Sequence, residues 1–183
     1  MSGHSKWSQI KRQKGVEDQK RSKVFSMLAK TIAVEVKRAN GDRQAAGVRK
    51  AIERARAANM PNDNIERAIK NALGGNAVNF EEVIYEAYGP GGTALILEGL
   101  TDNHNRSSQE IKFLLSSHGA NLSAPGSALW AFKKNLAPDG QAGWQAQTMV
   151  NLNEEDAQKL ANLLDALEAS EDIKKVYDNA SRQ

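Results

Sequence analysis

The spacing of the apolar residues changes once along the chain, at Gly74-Gly75, and that change limits the folds open to it. Before it, Phe25, Leu28, Ile32 and Val36 recur at steps of three and four, the spacing of one helix face. After it, Val83, Tyr85 and Ala87 alternate with Glu82, Ile84 and Glu86, as on a strand buried on one side. A glycine pair stops a helix and continues a strand poorly, so it marks a boundary. The chain is predicted to be α+β, with a helical domain over 1–74 and a mixed domain over 75–183.

Three helices are expected in the first domain. One runs from Val24 and ends at Asn40-Gly41, behind Lys37 and Arg38 in its last turn. A second, about Gln44 to Ala58, turns Val48, Ile52 and Ala55 inward and Arg49, Glu53 and Arg56 outward. Pro61 suits the first turn of a third, through Ile65, Ala68, Ile69 and Ala72. The break at Met60-Pro61 invites a helix-turn-helix reading, but the first turn of the third helix carries Asn62, Asp63 and Asn64, and Asp63 repels phosphate. A plain antiparallel helix pair is the expectation.

In the second domain, Gly89-Pro90-Gly91-Gly92 turns the first strand into the run Thr93 to Leu97. Ser107 and Glu110 have capping-box spacing for a helix through Ile111, Leu114 and Leu115. Strands around Ser127 to Phe132 and through Trp144, Ala146, Thr148 and Val150 follow. Asn153 then caps a helix on Leu160, Leu163, Leu164 and Leu167, and Ile173 to Tyr177 closes the sheet. From Thr93 the order is βαββαβ, predicting a ferredoxin-like sandwich with an extra N-terminal hairpin strand.

Charge divides at the same boundary. Residues 1–74 carry 17 Lys or Arg against 7 Asp or Glu, whereas the rest of the chain is acidic. Up to Lys30 there are eight basic residues against Glu17 and Asp18. Such a segment repels itself unless a polyanion neutralises it, and phosphate contacts gain from counterion release. Lys6, Lys11, Arg12, Lys14, Lys20, Arg21 and Lys23 are therefore candidate phosphate contacts, on an arm expected to be irregular. Trp7 offers a face for base stacking, and His4 and Arg106 are candidate secondary contacts.

Gly3-His4-Ser5-Lys6-Trp7 with Lys20-Arg21-Ser22-Lys23-Val24-Phe25 resembles the opening of the YebC/PmpR family. Ala55-Arg56-Ala57-Ala58-Asn59-Met60-Pro61, Tyr85-Glu86-Ala87-Tyr88-Gly89-Pro90-Gly91-Gly92 and Leu100-Thr101-Asp102-Asn103 extend the resemblance over nearly the whole length. It implies nucleic-acid work, either as a probable DNA-binding transcriptional regulator or as a translation factor acting on the ribosome. Family members usually carry a third domain inserted near Lys133 to Gly143. This chain runs straight through, as a short form.

Several classes fall away. There is no cysteine, so disulfides, thiol nucleophiles and Cys-ligated zinc are excluded. His4, His104 and His118 stand in three separate segments, which gives neither a catalytic base beside a nucleophile nor a metal cluster. No enzyme activity, cofactor, metal or small-molecule substrate is expected. No long apolar run suggests a membrane span and no leader peptide is evident, so a cytoplasmic protein is expected. The leading expectation is a non-enzymatic regulator of translation bound to ribosomal RNA. A DNA-binding transcriptional regulator is the alternative, and a protein-interaction module using the acidic domain is the second.

Overall fold

The computed structural model describes residues 3–74, 77–136 and 142–181, and their side chains except those of 3–16 and 136. The chain forms two compact units, Met1–Phe80 and Glu81–Gln183.

The first unit contains α1 (Gly3–Arg38), α2 (Ala46–Ala57) and α3 (Asn62–Leu73). The expectation of an irregular arm is corrected here, because the backbone from Gly3 to Arg38 is one 36-residue helix. Lys, Arg, Gln, Glu and Met lose little rotamer freedom in a helix, and no proline interrupts the segment. The helix ends where Asn40 and Gly41 take positive φ and the Gly41 amide bonds back to the Val36 carbonyl at 2.9 Å. Ile32 and Val36 of α1, Val48 and Ala55 of α2, and Ile65 and Ile69 of α3 make the core. Phe80 packs on it too, so the segment beyond Gly74 belongs to the helical unit. Lys37 Nζ fixes that segment by donating to the carbonyls of Ala77 at 3.3 Å and Val78 at 2.9 Å.

The second unit runs β1 (Glu81–Tyr88), β2 (Ala94–Thr101), α4 (His104–Ser117), β3 (Asn121–Ser123), β4 (Phe132–Leu136), β5 (Ala142–Ala146), α5 (Glu154–Ala169) and β6 (Ile173–Asp178). The sheet order is β3-β1-β2-β6, every neighbouring pair antiparallel. In this ferredoxin-like arrangement β2 and β3 run parallel with β1 between them, joined by α4, while β1 and β6 run parallel with β2 between them. The hairpin strand β1 is thus no appendage. It holds a central place, the one the sequence assigns to the strand before α5. A hairpin closed by a short turn pairs locally, and Val83, Tyr85 and Ala87 bury against the helices beside Leu95, Leu97, Ile111 and Leu163.

Other details differ from the sequence reading. Residues 127–131 form turns and a short 3₁₀ segment, and β4 begins only at Phe132. β4 pairs with β5 as a separate ribbon, and Val150 makes only an isolated bridge to Ala180. α4 starts earlier than expected, capped by Asn103, whose Oδ1 accepts from the Arg106 amide at 3.0 Å. Ser107 is consequently inside the helix and buried. Asn153 caps α5 as expected, accepting from the Asp156 amide at 2.8 Å. Among the described residues no helix is long and apolar enough to cross a membrane.

Candidate nucleic-acid interface

α1 is three times as long as α2 or α3, at 36 residues against 12 and 12. At 1.5 Å per residue it spans about 54 Å against about 18 Å for each partner. Its described side chains from Glu17 to Ser22 are all exposed, and full burial begins only at Met27. Over Glu17 to Ser22 α1 is therefore held helical by its own propensity rather than by a core, and Lys20 and Arg21 face solvent. Lys20 and Arg21 are exposed and Lys23 is half-buried. The side chains of His4, Lys6, Trp7, Lys11, Arg12 and Lys14 lie outside the described residues, although their backbone belongs to α1.

The unit's other cations fall into two groups. Some are engaged internally. Arg38 pairs with Glu35 at 2.7 Å, Arg43 holds both carboxylate oxygens of Glu66, and Lys30 Nζ sits 5.6 Å from the Phe80 ring centroid. In contrast, Arg49 and Arg56 of α2, Arg67 and Lys70 of α3, and Lys20 and Arg21 of α1 are exposed and make no ion pair with a described residue. Arg49 and Arg56 stand two turns apart on one face of α2, and Arg67 and Lys70 one turn apart on α3. Arg49 and Arg56 were legible as an outer face of α2, but the four were not legible as an interface, because their basic character is spread over two helices rather than run together.

A groove of about 570 Å³ lies between α1, α3 and residues 77–80. Ala29, Ala33, Ala68 and Ala72 line it, with Lys30 and Lys70 beside them. Small side chains on both helices leave this space, which is why the alanine-rich stripes bury a thin core.

Arg106 stands apart, in the second unit. Its Nη2 contacts Asp102 Oδ1 at 2.6 Å and Asp172 Oδ2 at 3.4 Å, and its Nε lies 3.8 Å from Glu110. The hydrogen bond to Asp102 pushes its pKa up, and Asp172 adds to the shift. Its charge is met within the unit, and Thr101 Oγ1 completes the cluster by donating to Asp172 at 3.0 Å. His104 packs near Tyr85, with ring centroids 6.0 Å apart. Among the described residues no group of three or more His, Asp or Glu is placed to hold a metal ion.

Comparison with known proteins matches residues 5–75 to the family model described as the TACO1/YebC protein N-terminal domain. Residues 80–137 and 136–180 match the TACO1/YebC second and third domain. These last two stretches meet at the end of β4. A relative from Halothermothrix orenii, named a probable transcriptional regulatory protein, is 46% identical over 176 residues, and the alignment covers 94% of this chain but 66% of that protein. One from Desulfosudis oleivorans with the same name is 37% identical over 238 positions, covering 99% of this chain and 97% of the relative, which carries residues this chain lacks. The crystal structure of a conserved hypothetical protein from Aquifex aeolicus superposes with a TM-score of 0.80 at 29% identity, over 88% of this chain and 90% of that one. The chain belongs to the TACO1/YebC family.

Proposed function

We propose that this protein is a non-enzymatic regulator of gene expression that binds RNA of the ribosome through the cationic first half of α1. Lys6, Lys11, Arg12, Lys14, Lys20, Arg21 and Lys23 neutralise phosphate and Trp7 stacks on a base; Arg49, Arg56, Arg67 and Lys70 widen the contact. The observation that carries this reading is the exposed stretch of α1 from Glu17 to Ser22, in a helix whose sequence up to Lys30 holds eight Lys or Arg against two acids. A helix with no apolar cover and a dense positive charge gains most from a phosphate-lined surface. RNA is favoured because α3, the helix that follows the Met60-Pro61 break, is poorly suited to a duplex groove. α3 opens with Asn62, Asp63 and Asn64, whereas structured RNA is gripped largely by shape, phosphate and single-stranded bases. His4 remains a candidate contact at the start of the helix, and the reading does not use Arg106.

The relatives' name favours a second reading, in which the same helix binds duplex DNA in a transcriptional regulator. Sedimentation with ribosomes, run beside retardation of mixed duplex DNA, separates the two. Co-sedimentation lost in a Lys11→Ala/Arg12→Ala/Lys14→Ala variant supports the RNA reading. Retardation of DNA without ribosome association moves the assignment to DNA.

A further inference from the structure

The α/β unit is acidic overall, yet four of its lysines fall in two adjacent pairs. Arg106 lies among carboxylates and Lys159 pairs with Glu155 at 2.6 Å. Lys133 and Lys134 stand together on β4, and Lys174 and Lys175 on β6. All four are exposed and make no ion pair with a described residue.

Two of them are held in place. Lys134 Nζ lies 5.3 Å from the centroid of Trp144, and Lys175 Nζ lies 5.0 Å from the centroid of Tyr177. Both rings are fixed by one carboxylate. Trp144 Nε1 donates to Glu98 Oε1 at 2.8 Å and Tyr177 Oη to Glu98 Oε2 at 3.3 Å. Each ring attracts the ammonium above it through its quadrupole, which reduces the rotamer freedom a lysine loses on meeting a ligand. Glu98 offsets only part of the positive charge gathered around it.

Trp144 and Tyr177 pack in the apolar layer on the sheet face away from α4 and α5, together with Tyr88 and Leu129. Trp130, next to Leu129 in sequence, is 59% exposed, and its Nε1 donates to Tyr88 Oη at 3.0 Å. Tyr88 in turn donates to the Ser127 carbonyl. A large indole held by a hydrogen bond but left open to solvent offers a flat stacking surface, four residues before Lys134 along the chain. Cations that follow a backbone and aromatics that stack bases are the two parts of a single-strand binding surface.

We propose that this face, with Lys134 and Lys175 on phosphates and Trp130 on a base, is a second contact for a single-stranded stretch of the nucleic acid that α1 binds. The inference rests on the nucleic-acid reading above. It gives the acidic unit an attractive surface on one side only, so it fixes which way that unit faces on a polyanion.

The test is the affinity of the full chain for a fluorescent single-stranded RNA 15-mer, measured by anisotropy between 50 and 200 mM salt. Lys134→Ala/Lys175→Ala should lower the slope of log affinity against log salt by about 1.4, the share of two phosphates on a single strand. Trp130→Ala should weaken binding on the order of tenfold with the slope unchanged. If the lysine pair and Trp130 variants bind like the wild type while Lys11→Ala/Arg12→Ala/Lys14→Ala loses binding, the face is no nucleic-acid contact and the α1 reading stands. If the wild type binds no RNA or DNA at any of these salts, both fall. Capture of a poly-glutamate peptide by the wild type and not by the lysine pair variant, with RNA affinity unchanged in that variant, would give the face to an acidic protein partner instead.

Discussion

Trp144 of the ribbon donates its indole proton to Glu98 of the central strand at 2.8 Å. That bond, with the one from Tyr177 to the other oxygen of the same carboxylate, ties β5, β2 and β6 together on the face opposite the helices. Tyr177 registers the arrangement in its ionisation. Burial first, then the charge of Glu98 and the hydrogen bond to it, push its pKa up to about 12. An ordinary tyrosine titrates near 10, so the contribution of this phenol to stability is full below about pH 10 and is lost as the pH rises toward 12. Absorbance titration should show a late phenolate step that Tyr177→Phe removes. Glu98→Gln should move that step down toward 10 without bringing it there, since burial remains. A Tyr177 step that stays near 12 in Glu98→Gln would show that the carboxylate has no part in it.

Glu86 is buried at 5% exposure in the middle of β1, and its carboxylate accepts from the backbone amides of Gly126, Ala128 and Leu129. Those bonds fix the loop that presents Trp130. Replacing Glu86 with Gln keeps the size but leaves only one accepting oxygen and turns an amide NH2, itself a donor, toward backbone donors. The expected cost is about 2–3 kcal/mol in chemical unfolding of the α/β unit. A change below about 0.5 kcal/mol would mean that the loop holds its place without this carboxylate.

Gly99 lies at the register shift between β2 and β6, where an added Cβ would stand 2.3 Å from the Asp172 carbonyl oxygen and 3.2 Å from Val83. The obstacle is backbone, which cannot step aside as a flexible side chain can. Gly99→Ala should therefore destabilise the unit by about 3 kcal/mol and raise hydrogen exchange at the Leu100 amide, which bonds the same carbonyl at 2.9 Å. Exchange at Leu100 unchanged from the wild type would contradict this.

Much of this architecture is legible in the residues. α3 buries Ile65, Ala68, Ile69 and Ala72, the positions its period marks, because a short helix against two neighbours has one apolar stripe and one way to use it. α2 shifts slightly, burying Ala51 fully and Ile52 only in part, since alanines on both sides blur the direction of the stripe. In α1 the apolar period begins near Val24, but the helix begins at Gly3, because propensity and charge leave no periodic mark. The ribbon is the clearest omission. Phe132, Trp144 and Ala146 alternate as any sheet strand does, and only tertiary pairing shows that β4 and β5 pair with each other while β1 takes the central place. In the candidate interface, the run of cations in α1 was plain from composition. The fixing of Lys134 and Lys175 was not, since it depends on Glu98, which is remote in sequence from both rings.

The central claim is that the cationic half of α1 binds phosphate, and the dependence of ribosome association on salt tests it most directly. Contact with about six phosphates should lower affinity on the order of a thousandfold between 50 and 200 mM salt, and Lys11→Ala/Arg12→Ala/Lys14→Ala should flatten that dependence while thermal stability holds. Association that ignores salt, or a triple variant that binds ribosomes as the wild type does, would contradict the account.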